Sequence, residues 1–287
     1  MTETKSSIAW LGTGLMGRPM AERLLAEGYP VKVWNRTPSK AEALREKGAQ
    51  ACATPGDAAA DSEIVFTMLS DFAATEAALQ EIDPAGMVLV QMATIGPEES
   101  RQLADLVNRA GGAYLEAPVL GSIPEAKAGK LIIMAGGPEN VFVKVRPLLT
   151  CLGPEPRLIG ETGKAAACKL ALNQLIASLT AAFATSLAYV EAHGAPVDTF
   201  MEILKQSALY APTFDKKLPR MAAHDYRNPN FPTEHLIKDI DLFVQGAGAI
   251  DTRLLEVLRH LYKHALEGHE REDYSCVFEA VLGRRSS

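Results

Sequence analysis

Short apolar runs separated by longer amphipathic stretches fill the first half of the chain. "SIAWL" (7–11), "VKVWN" (31–35), "EIVFTML" (63–69), "MVLVQMA" (87–93), "AYLEAPV" (113–119) and "KLIIMAG" (130–136) have the length and β-branched content of strands. Between them, Met16–Glu27 and Pro97–Ala110 carry apolar residues at helical spacing. Strand and helix in alternation predict βαβ units and a parallel, doubly wound sheet. From about Gly163 the texture changes to helix-length segments punctuated by turns at "HGAPVD", "YAPTF" and "YRNPNFP". The pattern predicts an α/β domain over 1–163 and a mostly helical one over 164–287, with Pro147–Gly160 as a connecting stretch. No internal repeat or low-complexity segment interrupts it.

The run from Ala165 to Val190 is almost wholly apolar or small, yet it contains Lys169 and Asn173. Its length suits a membrane span, but a lysine centred in lipid costs roughly 2.5 to 3.5 kcal/mol even on lenient scales. A helix covered by other protein is expected instead.

Composition narrows the setting. A chain of 287 residues, 47% hydrophobic and 22% charged, has enough apolar material for two cores. A net charge of −6 without a Lys/Arg run argues against nucleic acid and anionic membrane as partners. The four cysteines, at 52, 151, 168 and 276, have no metal-ligand spacing, so reduced thiols and no metal site are expected. "MTETKSSIAW" lacks the pattern of a secretory signal, which predicts a cytoplasmic protein and an unglycosylated Asn35-Arg36-Thr37 sequon.

Candidate chemistry begins after the first strand. Gly12-Thr13-Gly14-Leu15-Met16-Gly17 is a G-x-G-x-x-G placed where a strand turns into a helix. Small residues there let the backbone approach a pyrophosphate, whose charge the helix N-terminus stabilises. The second strand ends in Asn35-Arg36-Thr37-Pro38-Ser39-Lys40, with no carboxylate to bind a bare ribose. Arg36 can stack on adenine and pair with a 2′-phosphate while Asn35 or Thr37 donates, so NADPH is the expected cofactor. The plainer alternative is that Arg36 and Lys40 are solvated loop charges.

Lys169 and Asn173, four apart, project from one helix face. The lysine could snorkel to the surface and the amide satisfy the backbone. Beside a nucleotide domain they gain another use: hydride transfer to a carbonyl carbon needs a proton donor at the oxygen, and an ammonium is one. An ordinary lysine, with a pKa of about 10.4, is protonated at neutral pH and suited to reduction. Oxidation needs the neutral amine, so its rate is expected to rise towards alkaline pH. Asn173 would orient substrate and lysine.

Four segments in order resemble the β-hydroxyacid dehydrogenases of the 3-hydroxyisobutyrate dehydrogenase type. "GTGLMGRPMAERLLAEGY" is similar to their cofactor motif, "EAPVLGSIPEAKAGKL" to the substrate loop, "GETGKAAACKLALNQ" to the catalytic helix and "KDIDL" to a second cofactor motif. "NRTPSK" and "FPTEHLIKDIDL" most resemble the branch of NADPH-dependent glyoxylate and succinic semialdehyde reductases. The resemblance implies a Rossmann-type N-terminal domain, a long interdomain helix, an all-α C-terminal domain and a homodimer or homotetramer. It assigns Lys169 to catalysis with Asn173 as companion, Thr94 to nicotinamide packing, and Met68 and Leu69 to the cofactor-lining strand end. Phe231, Lys238 and Asp239 match cleft-lining positions, for substrate, cofactor and catalysis respectively; without the resemblance Lys238 and Asp239 would be an ordinary exposed pair.

One departure stands out. Where the family usually has P-V-S-G-G or P-V-S-G-S, this chain has Pro118-Val119-Leu120-Gly121-Ser122. Leu120 removes a hydroxyl from the expected carboxylate site, leaving the Gly121 and Ser122 amides and the Ser122 hydroxyl as donors. A pocket without that donor also suits a less polar aldehyde or ketone. Three alternatives remain: a dehydrogenase of another 3-hydroxy acid, an imine reductase, in which Lys169 would stand where Asp or Tyr is usual, and a non-catalytic dinucleotide-binding module. A 6-phosphogluconate dehydrogenase would need a longer helical domain.

Overall fold

The apolar runs become strands because alternate residues can be buried on opposite faces of one sheet. The computed structural model describes residues 7–266 and 271–284. Its strands are β1 (Ile8–Leu11), β2 (Val31–Trp34), β3 (Gln50–Ala51), β4 (Ile64–Thr67), β5 (Val88–Gln91), β6 (Ala113–Glu116), β7 (Val119–Leu120), β8 (Ile132–Gly136) and β9 (Arg157–Gly160). The order β3-β2-β1-β4-β5-β6 is parallel throughout, the arrangement of a dinucleotide-binding sheet.

Helices α1 (Gly17–Ala26), α2 (Pro38–Glu42), α3 (Pro55–Ala59), α4 (Phe72–Leu79), α5 (Pro97–Arg109), α6 (Ile123–Ala128) and α7 (Glu139–Leu152) connect them. Ile8, Trp10, Val31, Val33, Phe66 and Val90 face one core with Met20, Leu24, Val145 and Leu149 of α1 and α7. Their neighbours Ala9, Leu11, Val65 and Leu89 face the other, with Ala58, Leu79, Leu103 and Val107 of α3, α4 and α5. The sheet is therefore doubly wound, as the alternation predicts.

Two details differ from the sequence reading. The expected strand over 113–119 stops at Glu116, and β7 resumes after Pro118, which has no N–H for the ladder, antiparallel to β8. Strand β8 is also antiparallel to β6, so the far edge is mixed. Nor is Pro147–Gly160 a plain connector. Helix α7 continues through Pro147 to Leu152, because Val141, Val145, Leu148, Leu149 and Leu152 form a buried helical stripe, and Arg157–Gly160 pairs with β8.

Helix α8 (Lys164–Ala192) runs for 29 residues, and the chain's two compact units divide within it, between residues 169 and 170. It is long and apolar enough by composition to cross a membrane. Buried positions 165, 166, 169, 170, 173, 177, 180, 181, 184 and 187 mark one continuous face. The second unit continues with α9 (Val197–Lys205), α10 (Thr213–Ala223), α11 (Thr233–Gly246), α12 (Arg253–Leu266) and α13 (Val277–Val281). Its core gathers Phe183, Leu187, Phe214, Met221, Leu236, Ile240, Leu258, Tyr262 and Phe278, with Phe183 stacked on Phe214. The helical C-terminal half is as the sequence predicts.

Candidate functional site

The glycine loop is held in a shape that other residues could not adopt. Gly12 has φ +101°, and a Cβ there would lie 2.3 Å from the Met68 carbonyl oxygen. A Cβ on Gly17 would sit 2.0 Å from the Gly12 oxygen, which also accepts a hydrogen bond from Trp10 Nε1 at 2.9 Å. These two glycines let α1 pack closely on the end of β1. Gly14 differs: nothing lies within 4 Å of where its Cβ would be. Thr13 beside it is buried, and its hydroxyl has no hydrogen-bond partner among the described residues. An open backbone position next to a buried, unsatisfied hydroxyl fits the approach of a pyrophosphate.

The tip of β2 steadies that loop. Asn35 Oδ1 accepts the Thr13 N–H at 3.0 Å and its Nδ2 donates to the Thr37 carbonyl at 3.1 Å. Asn35 thus fastens loop to loop, and Arg36 and Thr37 stand exposed beside it. Met68 and Leu69 follow β4 and are half-buried, with the Leu69 side chain near the Gly12 position; Leu15 is exposed and Met16 half-buried. Thr94, half-buried, follows β5. All of these lie in the first unit, at the C-terminal ends of parallel strands, where such sheets bind ligands.

The substrate-loop residues are in the same unit. Gly121, at φ +132°, turns the chain from β7 into α6, and Leu120 is half-buried. Here the sequence reading needs correction. The Ser122 N–H and hydroxyl both donate to Glu125 Oε2, at 2.8 and 2.6 Å, closing a capping box at the start of α6. Both Ser122 donors expected to hold a substrate carboxylate are thus occupied by the chain's own Glu125.

In the helical unit Asn173, 2% exposed, donates through Nδ2 to Asp239 Oδ2 at 2.6 Å. Asp239 is 3% exposed, and Lys238 Nζ lies 3.2 Å from its other oxygen. The "KD" pair is therefore a built feature that fixes the amide of Asn173, not an ordinary exposed pair. Phe231 packs edge-on against Tyr274 before α11. Lys169 lies one turn before Asn173 on the same face of α8 and is 8% exposed.

Sequence reasoning missed Glu116. This buried side chain at the end of β6 accepts, on Oε1, the backbone N–H groups of Gly163, Ala165 and Ala166 at 2.9, 2.8 and 3.3 Å. Its Oε2 accepts the Ser100 hydroxyl, which is bonded in turn to Tyr114 OH at 2.8 Å. Burial pushes its carboxyl up, while these hydrogen bonds pull it the other way. A glutamate inside the apolar "AYLEAPV" was the available signal. Among the described residues no cluster of His, Cys, Asp and Glu could hold a metal ion, and none of the four cysteines forms a disulfide.

Known proteins share the fold and the order of its two parts. Residues 7–162 match the model for the NAD binding domain of 6-phosphogluconate dehydrogenase. Residues 163–281 match that for the NAD-binding of NADP-dependent 3-hydroxyisobutyrate dehydrogenase. The chain is 33% identical to Arabidopsis thaliana glyoxylate/succinic semialdehyde reductase 1, over 96% of this chain and 98% of that protein. With the chloroplastic reductase 2 of the same plant it shares 32%, over 98% and 80%. A 3-hydroxyisobutyrate dehydrogenase from Mycobacterium tuberculosis, solved with L-serine, has the same fold, with a TM-score of 0.88 at 23% identity over 96% of this chain and 99% of that one. A doubly wound nucleotide domain and a helical domain, matched in order by both family models, make this chain a member of the β-hydroxyacid dehydrogenase family, an NAD(P)-dependent oxidoreductase.

Proposed function

We propose that this protein uses NADPH to reduce a small aldehyde or oxo acid, of the glyoxylate or succinic semialdehyde kind, to the hydroxy acid. The observation that carries the reading is the pairing of two buried polar side chains, Lys169 and Asn173, on one face of an otherwise apolar helix. When bound, NADPH supplies the hydride. Thr13 and the open backbone at Gly14 would hold its pyrophosphate, and Arg36 with Thr37 its 2′-phosphate. Lys169 donates a proton to the substrate oxygen. Asp239 holds one donor of Asn173, which keeps the amide in a single orientation for the substrate.

A second reading has its own observation. Because Glu125 occupies the Ser122 donors and Leu120 adds none, the Gly121 amide is what is left of the expected donors, and an uncharged aldehyde would lose little that an oxo acid gains there. One assay tests both: NADPH and NADH oxidation with glyoxylate, succinic semialdehyde and an uncharged aldehyde of similar size, for wild type and Lys169→Ala. Turnover of the acids with NADPH, lost in the variant while cofactor still binds, supports the first reading. Turnover of the uncharged aldehyde alone supports the second. NADPH binding without any turnover would make the protein a dinucleotide-binding module. We further propose a homo-oligomer, since α8 exposes Leu175, Leu179 and Tyr189 along its length. A monomeric mass by light scattering would refute that.

A further inference from the structure

The buried acid at the end of β6 has no part in the chemistry proposed above, yet it is tied to the helix that carries Lys169. Helix N-termini leave backbone N–H groups unsatisfied, and these are usually capped by a side chain immediately before the helix. Helix α8 takes its acceptor from across the fold, 47 to 50 residues earlier in the chain. One oxygen of Glu116 gathers three donors, those of Gly163, Ala165 and Ala166. The other oxygen is fixed by Ser100 on α5, and since Ser100 gives its only proton to Glu116, Tyr114 must donate to Ser100. Every hydrogen bond in this chain points in at the carboxylate.

The surrounding backbone is shaped for it. A Cβ on Gly136 would lie 2.3 Å from Glu116 Oε1, so β8 keeps a glycine where the carboxylate passes. From Ala166 to Lys169 is three residues, a rise of about 4.5 Å, within which an α-helix has little freedom to bend. Whatever fixes the first turn of α8 in height and rotation fixes where the lysine emerges.

We propose that Glu116 is a positioning residue for the reduction: by anchoring the first turn of α8 to the sheet it sets the place of the Lys169 ammonium. The inference rests on the reading of Lys169 as proton donor. A catalytic group displaced by about 1 Å can lose on the order of a hundredfold in rate, whereas cofactor affinity does not depend on it.

Two variants test this, Glu116→Asp and Glu116→Gln. The aspartate keeps the charge but withdraws the carboxylate by one methylene, about 1.5 Å. The glutamine keeps the reach and one acceptor oxygen. For Glu116→Asp we expect kcat per NADPH-binding site to fall at least tenfold, roughly, with KM for the carbonyl and Kd for NADPH within about twofold of wild type. Hydrogen exchange should accelerate at the amides of 163, 165 and 166. Glu116→Gln should restore kcat to within about threefold of wild type. Wild-type kcat in Glu116→Asp, or a fall matched by losses in KM and cofactor affinity, overturns the proposal, the latter because it is what general damage would produce. Lys169→Ala, run alongside, separates the two claims. If it retains activity, the proton-donor reading fails and takes the positioning role with it; if it is inactive while Glu116→Asp is not, only the positioning role fails.

Discussion

Replacing Gly14 and Gly17 by alanine, one at a time, asks which glycines of the loop serve the fold and which serve a ligand. At Gly17 the new methyl would lie 2.0 Å from the Gly12 oxygen and 3.2 Å from Trp10 Nε1. Both neighbours are buried and belong to the β1–α1 junction, so α1 must move outward. Overpacking of this kind costs about 1–3 kcal/mol, and for a chain of this size each kcal/mol lowers Tm by about 2–4 °C. We expect Tm of Gly17→Ala to fall by roughly 2–12 °C without cofactor. At Gly14 the methyl meets nothing, and the residue does not need a positive φ. Its stability should hold or rise by up to about 1 kcal/mol through the stiffer unfolded chain. The methyl nevertheless occupies the space where a pyrophosphate would approach the backbone. Losing one hydrogen bond to a charged group costs about 1.5–3 kcal/mol, or roughly 10- to 150-fold in Kd. Thermal unfolding without ligand and NADPH titration by fluorescence read the two effects separately. Gly14→Ala binding NADPH like wild type, or unfolding as early as Gly17→Ala, would refute the assignment of Gly14 to the cofactor.

Three further outcomes are expected. Arg36→Ala should lower kcat/KM with NADPH by about 10- to 100-fold, from the loss of a charge-assisted contact, while leaving that with NADH nearly unchanged; equal losses with both would make Arg36 a plain loop charge. Asp273→Ala should cost about 3–5 kcal/mol in urea unfolding, because it strands Lys217, whose Nζ lies 2.7 and 2.9 Å from the two Asp273 oxygens at a nearly dry site. A loss below about 1 kcal/mol would contradict that burial argument. Stability should also decline in alkali. Burial pushes both the Cys276 thiol and the Tyr274 hydroxyl up to about 12, so the unfolded chain loses these protons first. The sign follows: their contribution is complete below about pH 9 and disappears as pH rises towards 12. Cys276→Ala should flatten the first part of that decline, measured as Tm against pH; an unchanged curve would count against the thiol's part in it.

Local signals were the ones the sequence disclosed. The loop from Gly12 to Gly17 could be read because its chemistry depends on adjacent residues, and the strands could be read where four or more apolar residues ran together. Strands β3 and β7, two residues each, carry too little pattern to be seen before their partners are known. Arg157–Gly160 looked like linker because it borrows its pairing from β8. The S-x-x-E of Ser122 and Glu125 was different: it is a local capping signature, present in the string but overshadowed by the expectation of a ligand at those donors.

By itself the sequence determined the alternation of elements, the glycine cradle and the presence of polar residues in an apolar helix, since each follows from spacing along a few turns of chain. Tertiary structure alone decided what those polar residues touch. That Asn173 meets Asp239, 66 residues on, and that Glu116 reaches the first turn of α8 depend on how the sheet and helices bring distant segments together. A buried hydrogen bond demands a partner, but nothing along the chain says where that partner will come from.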